Sequence, residues 1–230
     1  MTKRYFIDIE TIPPDEKVRE QLGLELVRHY AENYQAGPNS ALAPEKIEEE
    51  FRRLALSGEM GRVLAIGIIV ERGEEILHRG IIGRDRETRL FHLDEARTLR
   101  GFWHLLSDFN TERDLIIGHN VFDFDLSFLY KRSIIHRVRP PVRLSFARYR
   151  SRPIYDTMCE WNQWAFKGRV SLDRLAKALG LESSKGQGID GSRVYDYFCA
   201  GCHEEIADYC MRDVELVRAI YRRMNFEEDH

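Results

Sequence analysis

The chain has 230 residues, 43% of them apolar, with 35 basic against 38 acidic side chains and a formal net charge of -3. That length supports one sizeable core, so a single domain over 1–230 is expected. The near-neutral balance excludes a protein that grips nucleic acid by gross charge, and any basic footprint must be local. No apolar run approaches the roughly 18 residues of a membrane span, and acidic residues arrive too early at the N-terminus for a signal peptide. A cytoplasmic protein is expected, with Cys159, Cys199, Cys202 and Cys210 as reduced thiols.

Residues 5–9 predict a short strand, with Tyr5, Ile7 and Ile9 on one face and Phe6, Asp8 and Glu10 on the other. Pro13-Pro14 stops it. Residues 15–60 are charged and helix-prone, interrupted at Gly37-Pro38-Asn39-Ser40, and too poor in apolar residues for a core of their own. They predict a helical insertion. Strands follow at 62–70 and 74–82 with hairpin spacing around Arg72-Gly73, then a helical period over 87–109. A strand at 114–118, a helix at 124–135 and a strand at 153–156 come next. Helices at 157–167, 171–180 and 203–225 complete the chain. A hairpin-like opening followed by alternating strands and helices indicates an α/β domain with a mixed sheet. Its first strand presents two acids at its C-terminal end, where open α/β sheets place their sites.

Three carboxylate motifs stand in one order. In Phe6-Ile7-Asp8-Ile9-Glu10-Thr11 the two acids are two apart on a strand and point the same way. Two unit charges 4 Å apart repel by about 4 kcal/mol at an effective dielectric of 20. A divalent cation converts that repulsion into attraction, and hard oxygen ligands suit Mg2+ or Mn2+ better than zinc. Solvated acids at a strand end are the competing reading. In Tyr209-Cys210-Met211-Arg212-Asp213 the phenol and the carboxylate are four apart on a helix, on the apolar side with Ile206, Leu216, Val217 and Ile220. An acid there is unusual. In His119-Asn120-Val121-Phe122-Asp123-Phe124-Asp125 either Asp123 or Asp125 is a candidate ligand; spacing does not separate them, and Asp123 could be a helix cap.

Together the motifs resemble the DEDDy 3′–5′ exonucleases of the ribonuclease-H-like superfamily. The resemblance is nearest to the proofreading exonuclease domain of B-family DNA polymerases and to its stand-alone bacterial relatives. The segments 55–63 and 172–194 are also similar to those relatives. The likeness implies a ribonuclease-H-like mixed five-stranded sheet flanked by helices, with the 15–60 insertion after the first strand. It selects Asp125 over Asp123, because the second motif is an Asn, three residues, then Phe-Asp. It places the third motif in the tyrosine class, since the position five before Asp213 is Asp208 rather than histidine. It further implies hydrolysis with two divalent cations, Mg2+ or Mn2+. Asp8 would bridge both ions, Asp213 would hold the one that binds the attacking water, Glu10 would sit near that water, and Asp125 would complete the second ion's shell. Tyr209, with an unperturbed pKa of about 10, would orient the water rather than act as a full base.

The partner implied is single-stranded nucleic acid, DNA favoured. Residues 131–152 carry Lys131, Arg132, Arg137, Arg139, Arg143, Arg148, Arg150 and Arg152 with no acid among them, and Phe146 and Tyr149 interleaved. Cations on phosphates and rings on bases suit a single strand, so Arg148 and Arg150 are candidate substrate residues; a solvated loop is the bland reading. Thr11, Ile12 and Asn120 are further candidates. Ile12 would wedge against the terminal base or lie at a buried strand end, and Asn120 would bond the substrate backbone or cap a turn.

Two patterns point elsewhere and are set aside. Gly186-Gln187-Gly188-Ile189-Asp190-Gly191 has dinucleotide-like glycines but no strand before it. Cys199-Ala200-Gly201-Cys202-His203 has the c-type haem spacing, which requires export; two thiols at a helix entrance are expected. The alternatives are an RNA 3′-end trimming nuclease, since the 2′-hydroxyl is read outside these motifs, and a silent binding module, whose usual mark is a lost acid.

Overall fold

The computed structural model describes residues 1–34, 44–165, 168–182 and 189–227; for 26–34 and 44 only the backbone is described. The break expected at Gly37-Pro38-Asn39-Ser40 and the first half of the glycine pattern, 186–188, lie outside these residues.

The elements run β1 (Lys3–Ile12), α1 (Glu16–Tyr34), α2 (Pro44–Arg53), β2 (Arg62–Arg72), β3 (Glu75–Ile82), α3 (Glu95–Leu105), β4 (Leu115–Gly118), α4 (Asp125–Ile135) and β5 (Ile154–Asp156). Then come α5 (Thr157–Trp161), α6 (Leu172–Ala178), α7 (Val194–Cys199) and α8 (His203–Met224). The sheet order is β3-β2-β1-β4-β5. β2 runs antiparallel to both of its neighbours, β1 and β3, while β4 pairs parallel with β1 and β5 parallel with β4. This is the mixed five-stranded, helix-flanked, ribonuclease-H-like sheet that the motifs imply.

Strand alternation sorts the core into two layers. Tyr5, Ile7 and Ile9 pack with Leu99, Phe102 and Trp103 of α3 and Leu126 and Leu129 of α4. On the opposite face Phe6 meets Val214, Val217 and Tyr221 of α8. Asp8 and Glu10 share the parity of Phe6, so their side chains face α8. The helix comes unusually close there. Asp8 pairs across the ladder with Gly67, and a Cβ on Gly67 would stand 2.7 Å from Val214 Cγ2 and 2.9 Å from Cys210 Sγ.

The strands and helices are close to those predicted, with three differences. The periodic leucines of 87–109 do not all belong to a helix. Leu90 and Leu93 are exposed, and α3 begins only after Asp94, whose carboxylate accepts the Arg97 N–H at 2.9 Å as an N-cap. The helix expected over 157–167 ends at Trp161, followed by left-handed residues at Gln163 and Trp164. The short helix α7 has too few periodic positions to stand out in the sequence.

Candidate active site: a carboxylate cleft at the end of the central strand

Three elements converge at the C-terminal end of β1. That strand supplies Asp8 and Glu10. Helix α8 turns Tyr209 and Asp213 inward on the face that also buries Ile206, Cys210, Val217 and Ile220. Helix α4 starts at Asp125, where β4 has already ended. The last β1–β4 pair is Phe6 with Ile117, so the β1 edge beyond it has no ladder partner from β4. The Ile9 N–H there donates to Asp125 Oδ1 at 3.1 Å. A backbone donor between Asp8 and Glu10 thus fixes the third acid beside the first two.

The electrostatics follow from burial and mutual repulsion. Asp8 is held well above the usual carboxylate range by desolvation, then by Glu10, Asp213 and Asp125. Glu10 is raised by desolvation, then by Asp213 and Asp125. Asp125 is pushed up to about 7, chiefly by burial, although its own N–H and that of Ile9 pull it down. Burial also raises the Tyr209 phenol, with Glu10 and Asp213 adding to it and a hydrogen bond to Asp213 contributing, so the phenol keeps its proton. The charges that raise Asp8 and Glu10 are carboxylates. Oxygens of Asp8 and Glu10 and the Cys210 sulfur lie within 4.8 Å of one another. The Cys210 thiol, raised by burial, donates to the Asp8 carbonyl at 3.8 Å and keeps its proton. With the Cys210 thiol turned to the Asp8 carbonyl, the donors left for a cation are carboxylates, which fits Mg2+ or Mn2+.

Asp8, Glu10, Tyr209 and Asp213 line a cleft of about 510 Å³, as does Phe124, while Asp125, the next residue, is buried. Thr11 lies in the cleft wall. The facing wall comes from the insertion: Arg52 and Arg53 at the end of α2, and Leu56, which is 67% exposed. Nothing in the sequence assigned that segment a role. Gly191 and Ser192 border the cleft as well, and a Cβ on Gly191 would stand 3.9 Å from the Tyr209 hydroxyl.

Several expected substrate residues are placed elsewhere. Ile12 does not wedge into the cleft: it has no exposed surface and packs with Leu64, Ala65 and Ile206. The physical reason is parity: Ile12 lies on the same face of β1 as Phe6, Asp8 and Glu10, and beyond the acids that face is covered by α8 and by Leu64, the bulge residue of β2. Asn120 is a turn residue with φ of 62° whose N–H donates to Asp156 Oδ1 at 3.0 Å. Arg148 pairs with Asp123, in a separate slot, and Arg150 is exposed and not among the cleft-lining residues. The basic stretch is partly neutralised by acids distant in sequence. Arg132 is buried against Glu95 at 2.7 Å, and Lys131 meets Glu59 at 2.6 Å. The segment is also packed: Val138 and Leu144 are buried, and Phe146 lies 5.1 Å from Tyr130. Cys199 is exposed and Cys202 half-buried, both free thiols before α8.

Sequence reasoning missed Asp156. It is fully buried at the end of β5 and accepts the N–H groups of Asn120, Phe122, Met158 and Cys159 at 3.0 to 3.2 Å. Four donors on one carboxylate tie the second motif to the start of α5 and so set where α4, and Asp125, begin. An acid at the end of a short strand, directly before a helix, was the available signal.

No helix of the described residues is long and apolar enough to cross a membrane. No curated protein sequence matches the chain. Residues 55–230 match a family described as "Predicted 3'-5' exonuclease related to the exonuclease domain of PolB". The match takes in the second and third motifs and leaves out β1, α1 and α2, of which β1 and α2 line the cleft. With most of the chain covered, and with the mixed sheet and acidic cleft in place, the protein belongs to this family of predicted 3′–5′ exonucleases related to the PolB exonuclease domain.

Proposed function

We propose that the protein removes nucleotides from the 3′ end of single-stranded nucleic acid, DNA in preference to RNA, in the cytoplasm, and that 1–230 is one exonuclease domain. The observation that carries the reading is the meeting of Asp8, Glu10, Asp125, Tyr209 and Asp213, from three distant segments, at one end of β1. Asp8, Glu10, Asp125 and Asp213 are the residues that would hold two divalent cations, Mg2+ or Mn2+. When bound, such a pair lowers the pKa of an attacking water and neutralises charge on the scissile phosphate. Asp8, on which Glu10, Asp213 and Asp125 all act, would be the shared ligand; Asp213 and Glu10, which line the cleft, would serve the ion that carries the water, and Asp125, anchored by the Ile9 N–H, would serve the other. Tyr209 keeps its proton and donates it as a hydrogen bond, so its task is to orient the water. Thr11 and the α2 wall border the space that the terminal nucleotide would fill.

Oligonucleotides of DNA and RNA labelled at the 5′ end, incubated with Mg2+, Mn2+ or chelator, test the reading. A ladder shortening from the 3′ end, abolished by chelator and by Asp8→Ala, Asp125→Ala or Asp213→Ala, is expected. Faster trimming of RNA would reassign the substrate. Full activity in the Asp8→Ala protein, or in chelator, would refute the site.

A further inference from the structure

Next to the carboxylate cleft lies a second cavity of about 330 Å³. The two are separated by the chain at 123–125: Asp123 lines the slot, Phe124 lines the cleft, and Asp125 is the buried acid. Residues two apart lie within about 7.6 Å along the backbone, so an occupant of the slot can be continuous with one in the cleft.

Two features describe what the slot would take. The first is charge. The Asp123 carboxylate accepts from both Arg148 and Arg169, the latter at 2.8 Å. Two guanidinium groups share this one carboxylate, Glu160 accepts the Trp164 indole N–H at 3.3 Å, and the arginine side chains are 54% and 68% exposed. Asp123 thus aligns the two forks side by side without cancelling them, an arrangement suited to an anion with several oxygens. The second is a set of rings. Trp164 stands 5.4 Å from Phe122 and 5.6 Å from Tyr149, and Tyr149 is 64% exposed. Tyr149, Gln163 and Trp164 hold φ values of 64°, 50° and 59°. Left-handed backbone is uncommon for residues other than glycine and is concentrated at ligand sites; here two such residues line the slot and the third adjoins it.

We infer that this slot is a second nucleotide subsite, which binds the single strand upstream of the nucleotide being removed. Arg148 and Arg169 hold a backbone phosphate, and Tyr149 with Trp164 offers the ring surface on which a base stacks. An inorganic anion would use the arginines but not the rings, and an apolar ligand the rings but not the arginines; a nucleotide uses both. The inference rests on the exonuclease reading for its direction, since it places the slot on the 5′ side of the cleft.

Binding can be read without catalysis. A fluorescein-labelled twelve-nucleotide oligothymidylate, and the matching oligouridylate, are titrated with the full chain in EDTA and followed by anisotropy across a salt series. Tyr149→Ala should weaken binding about tenfold, the loss of one base stack, and Tyr149→Phe should restore it. Arg169→Gln, an exposed change that spares the core, should flatten the plot of log K against log salt by about 0.7, the loss of one phosphate contact. Wild-type affinity and salt slope in both Tyr149→Ala and Arg169→Gln, for both oligonucleotides, would overturn the subsite. The shortening ladder is a separate readout: if it is present and these variants bind as wild type, the slot fails and the exonuclease reading stands. If the ladder is absent while the variants lose affinity, the slot stands as a nucleic-acid site and the exonuclease reading fails.

Discussion

Gly67→Ala would move α8 without altering any of the four clustered acids or Tyr209. Gly67 lies opposite Asp8 in the β1–β2 ladder, and α8 crosses directly over it. A methyl group there would sit 2.7 Å from Val214 Cγ2, 2.9 Å from Cys210 Sγ and 3.3 Å from the Cys210 carbonyl oxygen. Ordinary contact begins at 3.4 Å, so Val214 must retreat by about 0.7 Å, the difference from 2.7 Å. Val214 has no exposed surface and, being β-branched in a helix, has essentially one rotamer. The retreat therefore falls on the backbone of α8. Overpacking of this kind costs about 1–3 kcal/mol, against about 0.4–1 kcal/mol gained from a stiffer unfolded chain. A net loss of about 1–2 kcal/mol should lower the melting temperature by about 2–8 °C for a chain of this size. The same shift carries Tyr209 and Asp213 away from Asp8 and Glu10, and a misplacement near 1 Å can cost about 100-fold in rate. Denaturant midpoints and single-turnover cleavage in Mg2+ measure the two effects. Val214→Ala in the same protein removes the closest clash and should recover part of both. A Gly67→Ala protein with wild-type midpoint and rate would refute the claim that this contact positions α8.

Tyr209→Phe should leave the fold intact and the enzyme slow, by about 10- to 100-fold in kcat; an unchanged rate would remove its proposed role. Glu95→Ala should destabilise the protein by about 3–5 kcal/mol. It strips a buried partner from Arg132, bound at 2.7 and 2.9 Å, from His136 at 2.7 Å and from the Val63 N–H at 2.8 Å. A loss under about 1 kcal/mol, read from urea unfolding, would contradict that. The metal-free protein should lose stability as pH rises from about 4 to beyond 7. The folded state keeps protons on Asp8, Glu10 and Asp125 that the unfolded state has released, and Asp125 titrates near 7. Mn2+ should therefore raise the midpoint more at pH 8 than at pH 5, and Asp125→Asn should flatten the metal-free profile. Parallel profiles with and without Mn2+ would sink the link between these acids and a cation.

What could be read from the sequence has short range. β1 was legible because Tyr5, Ile7 and Ile9 alternate with Phe6, Asp8 and Glu10, and strand geometry puts alternate residues on opposite faces. Asp213 stood out because a helical period placed it among Ile206, Val217 and Ile220, where an acid is costly. The order of strands and helices followed from the same periods, and with it the mixed sheet. The choice between Asp123 and Asp125 did not follow from periodicity, because both are acids at a helix start, and rested on the motif resemblance alone. It turns on Ile9, whose N–H is left over where β4 stops short of it and reaches Asp125.

The contents of the cleft wall and the fate of the basic stretch were decided in three dimensions. Residues 131–152 contain no acid, yet Glu59, Glu95 and Asp123 arrive from elsewhere to pair with Lys131, Arg132 and Arg148. Charge compensation acts through space, and composition along a window cannot register it. Ile12, either a wedge or a buried strand end from the sequence alone, is the buried strand end, because Leu64, Ala65 and Ile206 close over it. The α2 insertion bore no motif and still supplies a wall of the cleft. Local periodicity determined which side chains are apolar-facing, acidic or paired along one element. Only the packing of α8 over Gly67 and of α4 against β1 decided which of them meet, because that depends on distances between segments that the chain keeps far apart.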